Sequence, residues 1–243
     1  MRLVIAEKKS VATAIAQALC AAPVQKDGCY ECGQLLVTWA QGHLIDLAMP
    51  EDYKDRDWGK WSLDTLPVDP SGHWQWKIST ERGAGSRYRQ IVQLIRRADV
   101  DCLVNACDPD REGEAIFRRI ADMEGSRKPE LRLWVASLEA EAIQAAWRAM
   151  KPESEYRGLA WSAEIRSKAD WLTGMNASRA YSLLYNARFS VGRVQTPTLA
   201  MIAERDRQIR SHKPVPFWTV IADMGGWRLS SKRIDSKDAA MLL

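Results

Sequence analysis

Residues 102–116, CLVNACDPDREGEAI, run from an apolar stretch directly into four acids, Asp108, Asp110, Glu112 and Glu114, packed into seven positions. A short continuous apolar run reads as a strand buried on both faces, and such strands belong to parallel sheets covered by helices. Charge at its carboxyl end lies where an open α/β sheet gathers reactive groups. A related unit stands at the N-terminus, where RLVIA (2–6) gives way to Glu7-Lys8-Lys9-Ser10 and then to an apolar-periodic run through Val11, Ile15, Ala16 and Leu19. Strand, turn and helix are expected at both places.

Between them, LLVTWAQGHLIDLAMP reads as strand segments broken at Gly42, followed by a loop rich in Asp, Pro and Trp to about residue 72. The segment RYRQIVQLIRRA sets Tyr88, Ile91, Val92 and Ile95 on one helical face, with arginines expected on the solvated remainder. LRLWVAS then suggests another strand and EAEAIQAAWRAM another helix. This alternation over 1–150 argues for a parallel α/β sheet. From 153 to 213 the pattern is helical, and after Pro214 and Pro216 the run FWTVIADMGGWRLSS suggests two strands around Gly225-Gly226, opening a β-rich part over 214–243.

A chain of 243 residues with 46% apolar content can bury a sizeable core without disulfides. Its five cysteines are therefore expected as reduced thiols, and CYEC (29–32) lacks the second ligand pair of a zinc site. No apolar run is long enough to span a bilayer and no targeting segment stands at the N-terminus, so a cytoplasmic protein is expected. Residues 151–213 hold eleven Lys or Arg against six Asp or Glu, a surplus of five in a chain whose net charge is +4. That segment is where a polyanion would bind.

If the two acid-bearing strands are neighbours, Glu7, Asp108, Asp110 and Glu112 converge. Unpaired, they would repel and raise one another's pKa values. A hard divalent cation resolves the conflict, and Mg²⁺ suits a few carboxylates with positions left for water and phosphate oxygens. Asp108 and Asp110 could alternatively cap a helix starting near Glu112. Glu114 is expected on the solvated face, Arg111 as an ion-pair partner, and His43 as a buried, hydrogen-bonded histidine.

Together, VIAEKKSVATAIAQAL and ACDPDREGEAI closely resemble the TOPRIM domain of type IA DNA topoisomerases, in particular the topoisomerase III branch. VTWAQGHLIDLAMPEDY, RLWVASLEAEAI, RSKADWLTGMNASRAYSLL and SVGRVQTPTLAMIAERDRQI continue the resemblance in family order. Lys9 departs from it, since the family usually has Pro after Glu-Lys. The resemblance implies a TOPRIM metal-binding domain over 1–150 with a Rossmann-like parallel sheet, an all-α DNA-binding domain over 151–213 and the start of a β-rich gate domain over 214–243.

It also implies an ATP-independent cycle of strand cleavage, strand passage and religation. Glu7 would act as general acid and base, Lys8 as the cation for the scissile phosphate, and Glu7, Asp108, Asp110 and Glu112 as the Mg²⁺ site. Single-stranded DNA would lie along Thr173, Tyr181, Arg179 and Arg188 and along the strip Ser190, Val191, Gly192, Arg193, Val194 and Gln195, with Trp61 stacking a base. The six tyrosines stand outside any Arg-Thr-Asp-Ser-like segment that would carry the family nucleophile. The 243-residue chain alone is thus expected as a nucleoid-associated monomer that binds Mg²⁺ and single strands without relaxing supercoils. A TOPRIM nuclease or primase, or a DNA-binding module without catalysis, is the alternative.

Overall fold

The structure, a computed structural model, describes residues 1–242. Its elements are β1 Arg2–Ala6, α1 Lys9–Leu19, β2 Val24–Lys26, β3 Cys29–Cys32, β4 Leu35–Trp39, β5 Ile45–Leu47, β6 Trp76–Ile78, α2 Ala84–Ile95, β7 Cys102–Ala106, α3 Arg111–Glu124, β8 Glu130–Arg132, α4 Ala140–Arg148, β9 Lys151–Pro152, α5 Arg157–Leu184, α6 Gln195–Arg210, β10 Ile221–Asp223, β11 Arg228–Ser230 and α7 Lys237–Met241. They form two compact units, Met1–Arg193 and Val194–Leu243.

The first unit is built on a sheet of order β2-β3-β4-β1-β7-β8-β9. Its centre is parallel, β1 pairing with β4 on one side and β7 on the other, and β7 with β8. The edges are antiparallel. Side chains alternate along the strands, so both faces are apolar. Leu3, Ile5, Leu36 and Leu103 pack with Ile91, Val92 and Ile95 of α2 and Ile116, Phe117 and Ile120 of α3. Val4, Ala6, Val37 and Val104 pack on the opposite face with Ala12, Ile15 and Ala16 of α1 and Ile143 of α4. Helices thus sandwich a doubly covered α/β sheet, followed by the helical stretch and the β hairpin.

The expected parallel α/β sheet is present at the centre, and an antiparallel edge is added to it. Lys26 pairs with Cys29 and Cys32 with Leu35, leaving Asp27-Gly28 and Gly33-Gln34 as two-residue hairpin loops. Both glycines have positive φ, +77° and +55°, as tight hairpins require. Asp-Gly at 27–28 was the available signal.

Three expectations change. Cys20, just past α1, and Cys32, at the end of β3, form a disulfide across Cα atoms 6.3 Å apart, while Cys29, Cys102 and Cys107 remain thiols. The edge hairpin carries Cys32 back to the helix end, which spacing in the sequence does not reveal. Arg87, on the nominally solvated face of α2, is 6% exposed. His43 is exposed, its Nδ1 3.4 Å from Arg119 Nη1.

Behind the sheet's carboxyl end sits a buried polar network. Arg132, 0% exposed, forms an ion pair with Glu114, also 0% exposed, which corrects the solvated placement of Glu114. Helix α3 turns its 114, 117 and 121 positions inward, and a cation was already waiting there. Asn105 Nδ2 donates to Glu114 Oε2 and Glu153 Oε1, both at 3.0 Å. Burial, then the hydrogen bond and repulsion from Glu114, push the Glu153 carboxyl up to about 9.

The folded state therefore keeps the Glu153 proton that the unfolded chain releases above its ordinary 4.5, and stability falls as pH rises from there to about 9. Glu153→Gln removes this loss. Chemical denaturation at about pH 5 and about pH 8 should show the variant gaining on the wild type by more than about 1.4 kcal/mol at the higher pH. An equal difference at both pH values would contradict the assignment.

Candidate metal and single-strand site

The register that aligns Ala6 with Ala106 brings the loops after β1 and β7 side by side. Glu7 follows one strand immediately and Asp108 the other after Cys107, and both acids meet at one ammonium. Lys8 Nζ lies 2.7 Å from Asp108 Oδ2 and 3.3 Å from Glu7 Oε1. The hydrogen bond to Asp108, then that to Glu7, raises the Lys8 pKa above its usual value. The β4 end holds the Glu7 loop from the other side, Gln41 N donating to Glu7 O at 2.7 Å.

Asp110 and Glu112 have other partners. Asp110 caps α3, its Oδ1 accepting from Gly113 N at 2.8 Å, as the capping alternative anticipated. Glu112 pairs with Arg166 Nη1 at 3.1 Å and with Arg111 Nε at 3.7 Å. Among the described residues no group of three or more His, Cys, Asp or Glu stands at metal-ligating spacing. Glu7 and Asp108 are thus gathered around a cation, and Asp110 and Glu112 stand on the same turn with partners of their own.

The acid-bearing loop is held from behind. Arg132 Nη1 donates to Cys107 O and Nη2 to Asp108 O, both at 2.8 Å, and Asp110 N donates to Asp108 O at 2.8 Å. The turn folds so tightly onto α3 that a Cβ at Gly113 would lie 2.2 Å from Asp108 O. Only glycine fits there, which explains the Gly in the acidic motif.

The strip expected to contact DNA lies along α5. One face carries Asp170, Gly174, Ser178 and Ser182 at intervals of four, and residues 189–193 run antiparallel to it. Ser182 Oγ accepts from Phe189 N and Ser178 Oγ from Val191 N, both at 2.9 Å. At Gly174 an added Cβ would come within 3.6 Å of Val191 O, and Asp170 receives Arg193 Nε and Nη2 at 2.6 and 3.1 Å. Ser190 lies within this stretch, and α6 starts at Gln195 with Val194 as its N-cap residue. Thr173 and Tyr181 are exposed on the neighbouring column, and Arg188 is exposed beyond it.

Arg179 differs from its neighbours. It is 3% exposed, donates to Trp58 O at 2.6 Å and sets its guanidinium 5.3 Å from the Trp61 ring, which is half exposed. It braces the loop that presents Trp61. Sequence reading missed the supporting residues Asp170, Ser178, Ser182 and Arg166. Their spacing of four along one helix was the signal, and it was masked by the neighbouring column of Thr173, Ala177 and Tyr181. Arg166 Nε lies 3.8 Å from Asp170, so ion pairs connect Glu112, Arg166, Asp170 and Arg193 in series.

Comparison with known proteins agrees with this architecture. The Toprim domain profile matches residues 2–138 and the DNA topoisomerase profile residues 154–243. DNA topoisomerase 3 of Bacillus subtilis (strain 168) is 38% identical over 235 residues, 97% of this chain and 32% of that protein. DNA topoisomerase 3 of Staphylococcus aureus (strain MRSA252) is 36% identical over 239 residues, 97% of this chain and 33% of that protein. The solved full-length topoisomerase I of Thermotoga maritima shares the fold, with a TM-score of 0.62 at 18% identity over 99% of this chain and 37% of that one. The chain spans about a third of the length of the curated relatives it matches. With the Toprim profile covering more than half of it, the chain belongs to the Toprim domain family, and its residues 154–243 are similar to the DNA topoisomerase family.

Proposed function

We propose that this chain supplies the metal-binding and strand-binding parts of a type IA, topoisomerase III-like activity, in which one DNA strand is cut, another is passed and the first is resealed without ATP. The observation that carries the reading is the meeting of Glu7 and Asp108 over Lys8 at the carboxyl ends of adjacent parallel strands. The series of ion pairs from Glu112 to Arg193 supports it by joining the acidic loop to the strip on α5. The topoisomerase profile over 154–243 favours it above a nuclease or primase built on the same acids.

The donor chemistry fits Mg²⁺. Carboxylate oxygens are its preferred protein ligands, and Glu7 and Asp108 already share a positive charge. Glu7, Asp108, Asp110 and Glu112 would hold it, and when bound it would neutralise and orient a phosphate. Lys8 Nζ, poised between two carboxylates, contacts the scissile phosphate. Glu7 carries the proton to the departing 3′-oxygen and takes it back on religation. On α5, Asp170 orients the Arg193 fork toward the backbone of a single strand, and Tyr181 and Trp61 offer rings to its bases. We read the chain as a TOPRIM domain over 1–150, a helical domain over 151–213 and the opening of a gate domain from 214, acting as a nucleoid-associated monomer.

Titration calorimetry with MgCl₂ tests the first part. The wild-type chain should give a saturable heat that the double variant Glu7→Gln/Asp108→Asn loses, and a wild type indifferent to Mg²⁺ would overturn the metal assignment. Fluorescence anisotropy with a short oligothymidylate tests the second. Arg193→Ala should weaken binding about tenfold, equivalent to about 1.4 kcal/mol, and unchanged affinity would remove Arg193 from the strand path.

A further inference from the structure

A second electropositive site opens on the other side of the Glu7 loop. A cavity of about 700 Å³ is lined by Lys9, Lys26, Arg82 and Arg87 against only two acids, Asp27 and Glu81. Consecutive lysines divide between the two sites. Lys8 turns to Glu7 and Asp108, whereas Lys9 Nζ lies 5.5 Å from the Trp39 ring in the cavity wall. Gln41, whose N–H holds Glu7 O, belongs to the same lining. The cavity and the acidic loop therefore share a boundary one residue wide.

Its cations are unequally engaged. Lys26 pairs with Glu31. Lys9 and Arg82 are exposed and form no ion pair among the described residues. Arg87 is 94% buried, and all its hydrogen bonds go to neutral acceptors: Trp39 O, Gln90 Oε1, Gly28 O and Thr38 Oγ1. Burial lowers its pKa to about 10, still far enough above neutrality to keep the charge. A buried guanidinium is rarely left without a carboxylate, because its desolvation is then uncompensated. Helix α2 adds to the field, since it begins at Ala84 after Gly83 (φ +90°) with no side chain capping it.

We propose that this cavity is a phosphodiester subsite that holds a flanking phosphate of the same single strand whose scissile phosphate lies at Lys8. It recognises backbone before base, because the indole of Trp39 in the lining is 8% exposed and its ring meets the cations of Lys9 and Arg87, which leaves the His43 imidazole as the one exposed ring there among the described residues. Binding there would let the enzyme grip the strand on the far side of the Glu7 loop from Asp108 without sequence preference. The subsite rests on reading the acidic loop as the cleavage site.

The test is the salt dependence of oligothymidylate binding by the 243-residue chain, read by fluorescence anisotropy. Each single-strand phosphate neutralised contributes about 0.7 to the slope of log K against log salt, so Lys9→Ala/Arg82→Ala, which empties a site for one phosphate, should lower the slope by about 0.7. Lys9→Arg/Arg82→Lys should keep the wild-type slope, as should Arg2→Ala/Arg148→Ala, which removes two cations from a separate cavity beside the start of β1. Tight binding with an undiminished slope in Lys9→Ala/Arg82→Ala, or an equal loss in Arg2→Ala/Arg148→Ala, would overturn the subsite and leave the proposed activity standing. Absence of oligothymidylate binding by the wild type would overturn both.

Discussion

Arg132 is the buried charge around which the functional end of the sheet is organised. It stands in β8 at 0% exposure, with Glu114 as counter-charge and with the carbonyls of Cys107 and Asp108 as acceptors. Removing one partner from such a pair typically costs about 3–5 kcal/mol, because the other charge stays buried alone. Here the cost would fall on the loop that carries the acids. Without the guanidinium, Cys107 O would lose its donor and Asp108 O would be left with Asp110 N alone, and the turn from Cys107 to Gly113 would lose its register on α3. The apolar layers hold the sheet together, but this interaction decides where Asp108 stands relative to Glu7.

From that fixed point the site extends by charge compensation. Lys8 neutralises Glu7 and Asp108, Arg166 neutralises Glu112 and reaches toward Asp170, and Asp170 orients Arg193. Helix α5 serves as a rail, its row of Asp170, Gly174, Ser178 and Ser182 holding an extended strip that has no strand partner of its own. Serine hydroxyls satisfy the N–H groups of Phe189 and Val191. Every link in this series is a charge pair, so the loop that carries the acids and the strip on α5 are joined by electrostatic contacts.

Much of this was legible in the sequence where a local pattern maps onto a local structure. The strands β1 and β7, the helices after them and the hairpin around Gly225-Gly226 follow from apolar runs, periodicity and turn residues. The meeting of Glu7 with Asp108 needed only that two parallel strands be neighbours. What escaped was set by long-range pairing. Glu114 and Arg87 read as solvated because charged residues usually are, and their burial depends on Arg132 in one case and on the carbonyls of Trp39 and Gly28 in the other. The Cys20–Cys32 bond depends on an edge hairpin whose Asp-Gly turn was visible but whose direction was not. The exposed position of His43 follows from the left-handed turn at Gln41 and Gly42, φ +73° and +92°, which no periodicity encodes.

The dependence of the acidic loop on Arg132 is open to direct measurement by native-state hydrogen exchange on Glu114→Gln, which keeps the shape of the side chain and removes its charge. Amides of residues 107–114 should exchange markedly faster than in the wild type, while those of β1, β4 and the start of β7 keep their protection. Unchanged exchange over 107–114, or an equal loss of protection throughout the sheet, would show that the buried pair does not specifically position the loop on which the site is built.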